Sequence, residues 1–140
     1  MENITVIGIG KLGICNALIF EKAGYSVLGI DLSKEYCDSL NNKDVIFEEP
    51  YVNEYFQSSE NFSASTSLEE GLNFSDLIFI VIDTPNGHDE NHYDHSKLID
   101  LLKDINRTGI EHKHLMISCT VMPGFINDVG KPILSSCKNV

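Results

Sequence analysis

The sequence predicts an α/β fold, a doubly wound and mostly parallel sheet in three layers. Three observations carry this expectation. Short apolar runs alternate with helical patterns along all 140 residues, which is the rhythm of strand–helix–strand units. The first run, Ile4-Thr5-Val6-Ile7, is β-branched and continuous, as strands buried on both faces are. It ends at Gly8, in a glycine-rich turn that opens directly onto a helical pattern.

The elements follow in order. A helix is expected over 11–24, where Leu12, Ile14, Cys15, Ala17, Leu18, Ile19, Phe20 and Ala23 leave a narrow polar stripe of Lys11, Asn16, Glu21 and Lys22. Such a helix should be pressed between the sheet and another layer. Gly24 suits the position after the helix, where a positive φ is needed. Ser26 to Ile30 reads as the second strand, ending at Asp31, and Ser33 can cap a helix through about Leu40. Residues 41–61 are polar and aromatic, with one short helix near 51–58. Asn61 to Ser65 is a weak third strand, followed by a short helix from Ser67 to Leu72.

Leu77 to Ile82 is the strongest strand, and it stops at the turn-rich Asp83-Thr84-Pro85-Asn86-Gly87. Asp94 can cap a helix whose Leu98, Leu101, Leu102 and Ile105 follow the i, i+3, i+4, i+7 pattern. His114 to Cys119 is the fifth strand, and a last helix runs from about Gly124 to Leu134. Cys137 to Val140 stand where a sixth strand would begin. The expected strand order is 3-2-1-4-5, with the sixth position truncated or supplied by the vicinity of Val140.

Composition bounds the partners. With 42% hydrophobic residues the chain can bury a core, and its length suits one domain of roughly 100–150 residues. Twenty-one acidic against ten basic residues, a formal net charge of −11, argue against nucleic acid or an anionic membrane surface. The apolar runs fall far short of the roughly 20 residues that span a bilayer, and Met1-Glu2-Asn3 leads into the first strand without a basic leader pattern. Cys15, Cys37, Cys119 and Cys137 show no CxxC spacing, so free thiols in a cytoplasmic setting are expected.

Gly8-Ile9-Gly10-Lys11-Leu12-Gly13 reads GxGxxG. It sits between a strand and a helix, with Asp31 at the end of the next strand, eighteen residues past Gly13. That context is the dinucleotide fingerprint of a Rossmann fold. Gly8 allows the tight turn, Gly10 removes a Cβ where a pyrophosphate approaches, and Gly13 lets the helix lie close to the strand. The N–H groups at the helix start, from Gly10 through Lys11 and Leu12 to Gly13, then face the phosphate charge. Asp31 would accept hydrogen bonds from the adenosine ribose and repel a 2′-phosphate, which favours NAD over NADP. The alternative is a bare tight turn, with Asp31 capping the next helix. Lys11 either adds a salt-screened attraction to the pyrophosphate or is a solvated lysine on its helix.

On these residues the sequence resembles the UDP-glucose/GDP-mannose dehydrogenase family, in its N-terminal NAD-binding domain. The resemblance runs from ITVIGIGKLG through GYSVLGIDLS, Asn41-Asn42 and Glu49-Pro50. It continues through STSLEEGLNFSDLIFIVIDTPN to Ser118-Cys119-Thr120-Val121-Met122-Pro123-Gly124. The Thr-Pro after the fourth strand and the Thr-Val-x-Pro-Gly after the fifth are its most specific parts. The resemblance implies oxidation of the C6 hydroxyl of a nucleotide sugar to a carboxylate, with two NAD and a thiohemiacetal on a cysteine. It implies that Thr84 contacts the cofactor, and that Thr120 lies beside the nicotinamide, contributes to catalysis and helps to hold a water. Local turn chemistry is the alternative for both threonines.

The departures are specific. Lys11 stands where the family usually has Tyr, Tyr36 where a basic residue often contacts the adenosine ribose, and Tyr51 where Gly usually follows Glu49-Pro50. Cys119 takes the serine position of the strand-five motif and is read as a buried thiol, not a nucleophile. The family's nucleophilic cysteine, lysine and asparagine lie in motifs beyond residue 140. Residues 1–140 are therefore expected to form an NAD-binding domain without the catalytic C-terminal domains, inactive alone. A nucleotide-sugar substrate, and a homodimer, are implied only for a chain that carries those domains. The alternatives are a stand-alone NAD-binding or regulatory module, and a 6-phosphogluconate-like dehydrogenase, against which Thr-Val-x-Pro-Gly argues. The run His88-Asp89-Glu90-Asn91-His92-Tyr93-Asp94-His95 is rich in metal-ligand types but matches no ligand spacing. It is read as a solvated loop, with no metal site.

Overall fold

The computed structural model describes residues 2–87 and 93–140. Its elements are β1 (Asn3–Ile7), α1 (Lys11–Lys22), β2 (Ser26–Ile30), α2 (Lys34–Asn41), α3 (Val52–Ser58), β3 (Phe62–Ser65), α4 (Leu68–Phe74), β4 (Leu77–Ile80), α5 (Ser96–Thr108), β5 (His114–Ile117), a π-helical turn (Ile126–Gly130) and α6 (Lys131–Ile133). The strand order is β3-β2-β1-β4-β5, the order expected of a Rossmann fold. All the pairings are parallel, with Thr5 opposite Leu28 on one side and Ile78 on the other. The fold is the expected three-layer α/β sandwich of the Rossmann type.

Period-two alternation distributes the core between the two faces. Ile4, Val6 and Val27 pack with Ile14, Ala17 and Leu18 of α1, with Cys37 and Leu40 of α2, and with Val52 and Phe56 of α3. Ile7, Leu28, Ile30, Ile78 and Ile80 pack on the opposite face with Leu72 of α4, with Leu98, Leu102 and Ile105 of α5, and with Phe125. β1 is central, and even its polar residue is buried. Thr5 is 0% exposed and its hydroxyl donates to the Gly71 carbonyl at 2.7 Å, which satisfies both groups. Gly71 is small of necessity, since a Cβ there would stand 2.6 Å from Ile30 Cγ1.

The structure corrects several element bounds. β4 and β5 end at Ile80 and Ile117, two residues earlier than expected: the Val81 and Ser118 N–H groups make the last bonds, to the Ile7 and Ile80 carbonyls at 2.8 and 2.9 Å, and Ile82 and Cys119 stand beyond them at the carboxyl edge. The single helix expected over 124–134 is instead the π-helical turn followed by the short α6. Pro132 has no N–H to continue an α-helical ladder, and the Lys131 N–H reaches back five residues to the Ile126 carbonyl. α1 is buried on one face only. Leu12 and Ile19 are 61% and 57% exposed, because α3 covers only part of its outer surface. Asp94 lies one residue before the His95 cap position, and its carboxylate accepts from the Ser96 N–H at 2.9 Å.

No sixth strand forms among the described residues. An isolated parallel bridge joins Glu111 to Lys138 instead. No helix among the described residues is long and apolar enough to cross a membrane. No group of three His, Cys, Asp or Glu among them could hold a metal ion. Residues 88–92 of the histidine-rich run lie outside the described residues.

Candidate functional site

A cleft of about 280 Å³ opens at the carboxyl edge of the sheet, lined by residues 10–13, 81–84 and 118–120. Open α/β sheets bind ligands at this edge, where the strand order reverses. Here β1 lies between β2 and β4, so the chain leaves β1 between crossovers that run in opposite directions, and the first turn of α1 faces a gap.

The glycines shape this gap. The Gly8 N–H donates to the Ile30 carbonyl at 2.8 Å, and its φ of +88° is a left-handed conformation that favours glycine. A Cβ on Gly8 would lie 2.5 Å from the Val81 carbonyl oxygen. A Cβ on Gly13 would lie 1.8 Å from the Gly8 carbonyl oxygen, so α1 sits against the turn as closely as backbone permits. Gly10 is different. It has φ −64°, and a Cβ there would meet nothing within 4 Å. Neither backbone conformation nor protein packing requires glycine at position 10, and the space in front of it is open. The ladder of α1 starts with the Ile14 N–H on the Gly10 carbonyl at 2.9 Å. The amides of Gly10 to Gly13 stand ahead of it, as a set of donors at the positive end of the helix. These residues fit a dinucleotide pyrophosphate.

The structure brings Gly10, Lys11, Leu12, Gly13, Thr84 and Thr120 together on the cleft. Thr84 is half-buried and Thr120 exposed. Gly8 lies beneath the turn. Asp31 is not part of the cleft wall; it follows β2, adjacent to the turn, and its Oδ1 accepts from the Ser33 N–H at 3.0 Å. Ser33 itself caps α2 by accepting from the Tyr36 N–H at 3.2 Å, so Asp31 is not the N-cap residue.

The sequence reading missed three features. Lys11 pairs with Glu49 at 3.2 Å, and its side chain is 81% exposed against 28% for Glu49. A backbone N–H first, and Lys11 second, hold the Glu49 carboxyl below the usual range. Second, the Tyr36 hydroxyl donates to the Ile9 carbonyl at 3.0 Å. Burial first, and the Asp31 charge second, push that phenol up to about 12. Third, Asp83 lines the cleft and adds a negative charge to it. Residue types signalled none of these as contacts, although Glu49 falls in a stretch that carries the family resemblance. Lys34 pairs with Asp38 at 2.6 Å within α2.

Cys119 lies on the cleft wall, where its thiol donates to the Ile80 carbonyl and accepts from the Ile82 N–H, both at 3.4 Å. It laces the ends of β4 and β5 together. Burial pushes its pKa up, which opposes formation of a nucleophilic thiolate.

Fold and cleft together define an α/β domain of the Rossmann type. The chain belongs to the UDP-glucose/GDP-mannose dehydrogenase family, whose NAD-binding domain it matches over residues 2–140. It is 29% identical to a GDP-mannose 6-dehydrogenase of Pseudomonas savastanoi pv. phaseolicola, in an alignment that covers 96% of this chain and 32% of that protein. It is 28% identical to a UDP-glucose 6-dehydrogenase of Campylobacter jejuni, in an alignment that covers 90% of this chain and 32% of that protein. Among solved structures, the UDP-N-acetyl-mannosamine dehydrogenase Cap5O of Staphylococcus aureus superposes with a TM-score of 0.83 at 29% identity, over 96% of this chain and 32% of that one. A GDP-mannose dehydrogenase of Pseudomonas aeruginosa gives a TM-score of 0.85 at 23% identity, again over 96% and 32%, and shows the shared fold. The chain spans about a third of the length of the curated relatives it matches.

Proposed function

We propose that these residues hold NAD for a nucleotide-sugar 6-dehydrogenase, an enzyme that oxidises the sugar C6 hydroxyl to a carboxylate, as in UDP-glucose 6-dehydrogenase. One observation carries the reading. The only room the glycine turn leaves unfilled is in front of Gly10, at the helix start that borders the cleft. NAD, when bound, supplies the hydride acceptor. Backbone amides from Gly10 to Gly13 bind the pyrophosphate, and Leu12 contributes its N–H among them. Asp31 binds the adenosine ribose. Thr84 lines the path along the strand ends, and Thr120 holds a water beside the reacting carbon through a hydroxyl that both donates and accepts. Thiol chemistry at C6 is not assigned to any cysteine of this chain, so residues 1–140 alone are expected not to oxidise a nucleotide sugar. The cytoplasm, with its NAD pool, suits this role.

Asp31 sets the choice between NAD and NADP. Asp31→Asn keeps an acceptor for the Ser33 N–H and removes one negative charge from the place a 2′-phosphate would occupy. Calorimetric titration of wild type and variant is expected to show the preference for NAD over NADP narrowing by about tenfold. An unchanged ratio would remove Asp31 from the site.

Lys11 enters the site through its competition with Glu49. A bound pyrophosphate draws the ammonium away from the carboxylate, so Glu49→Gln should raise NAD affinity about two- to fivefold. Lys11→Ala should lower it by a similar factor and flatten its dependence on salt. Equal affinities and salt slopes in all three proteins would leave Lys11 a solvated side chain.

A further inference from the structure

We propose that Tyr36 is a positioning residue for the phosphate-binding turn, its hydroxyl holding the Ile9 carbonyl so that the Gly10 N–H is aimed away from α2 and left for the anion. The inference rests on the reading of the turn as a pyrophosphate site, and deepens it.

The geometry of one peptide unit carries the argument. The Ile9 carbonyl and the Gly10 N–H belong to the same peptide plane. The described residues contain no cis peptide bonds, and in a trans peptide these two groups point in opposite directions. The Tyr36 hydroxyl donates to the Ile9 carbonyl at 3.0 Å, across 27 residues of sequence. The donor is itself fixed. Its backbone N–H donates to the Ser33 side chain at 3.2 Å, and the next residue, Cys37, is buried in the core.

The acceptor end is fixed as well. Ile9 is 0% exposed, and its side chain occupies the space over Gly29, where a Cβ would stand 2.7 Å from Ile9 Cγ2. Side chain and carbonyl of Ile9 are thus held by different elements, which leaves the following peptide little freedom to rotate. A turn that presents amides to an anion works only if its carbonyls face elsewhere, since a carbonyl aimed at the phosphate would repel it. Tyr36 supplies that elsewhere for the carbonyl between the first two glycines. α2 thus serves the turn through a neutral donor.

Three proteins test this: wild type, Tyr36→Phe, and Asn41→Ala. The last loosens α2 from β3, where the Asn41 side chain donates to the Ala64 carbonyl and accepts from the Ala64 N–H, both at 2.8 Å, without touching the turn. The Gly10 amide resonance is recorded before and during titration with NAD, well below each melting temperature. Tyr36→Phe is expected to shift the Gly10 amide in the free protein and to weaken NAD binding about fivefold, the effect of one hydrogen bond. Asn41→Ala should melt earlier, yet keep the wild-type Gly10 amide and affinity. Wild-type affinity in Tyr36→Phe, or the same loss in Asn41→Ala, would overturn the positioning role alone. Folded wild type that binds no NAD would overturn the underlying reading instead, while the Gly10 shift in the free variant would still report whether Tyr36 sets the peptide.

Discussion

Gly13→Ala is expected to unfold a large part of the population at temperatures where wild type is intact. The added Cβ would lie 1.8 Å from the Gly8 carbonyl oxygen and 2.8 Å from its carbon. Both are backbone atoms, so no rotamer change relieves the clash, and α1 must move off β1. That movement opens the packing of Ile14, Ala17 and Leu18 against Ile4 and Val6. Overpacking usually costs 1–3 kcal/mol, and a backbone clash of this depth belongs at or beyond the upper end, about 3 kcal/mol or a fall of roughly 10 °C in Tm. Thermal unfolding followed by circular dichroism measures it. A Tm within 2 °C of wild type would mean that α1 is not seated on the turn.

Gly10→Leu should do the opposite, sparing the fold and removing the function. Its φ of −64° is open to any L-residue, and a Cβ there would have no neighbour within 4 Å. Tm should therefore stay close to wild type. The leucine would stand in front of the free amides and deny them to the pyrophosphate. Losing two hydrogen bonds to a charged group, each about 1.5–3 kcal/mol, lowers affinity by about a hundredfold or more. Calorimetric titration with NAD reads the loss. Normal affinity in Gly10→Leu would move the cofactor elsewhere on the protein. The two glycines lie three residues apart in one motif, and they separate what the motif does for folding from what it does for binding.

Particular residues show which parts of this were legible in the sequence. Five apolar runs separated by helical patterns make a parallel sheet legible, and the glycine fingerprint after the first of them points to the Rossmann order 3-2-1-4-5 among the doubly wound alternatives. The tight glycine turn is legible because glycine is informative wherever a Cβ cannot be placed, and positions 8 and 13 are such places. What one period cannot encode stayed hidden. The apolar pattern of α1 does not say whether Leu12 and Ile19 are covered, since that depends on what packs outside α1. The carboxyl ends of β4 and β5 looked like strand because Val81, Ile82 and Cys119 are apolar, yet they line a cleft. Pro132 was visible, but its consequence, a π-helical turn, depends on how the preceding carbonyls find new donors.

The contacts that refine the site were the least legible. Lys11 with Glu49, and Tyr36 with Ile9, join residues 38 and 27 positions apart, and no local pattern sets such pairs. Lys11 has a partner within the chain in the Glu49 carboxylate, and Tyr36 has one in the Ile9 carbonyl.

The most direct test of the central claim, that the helix start beside Gly10 holds the pyrophosphate of NAD, is calorimetric titration of NAD and NADP into the folded 140-residue chain, with Gly10→Leu titrated alongside. The account predicts one NAD site, weaker binding of NADP, and loss of the heat in a Gly10→Leu protein that melts like wild type. Absence of binding by folded wild type, or equal binding by the two proteins, would contradict it.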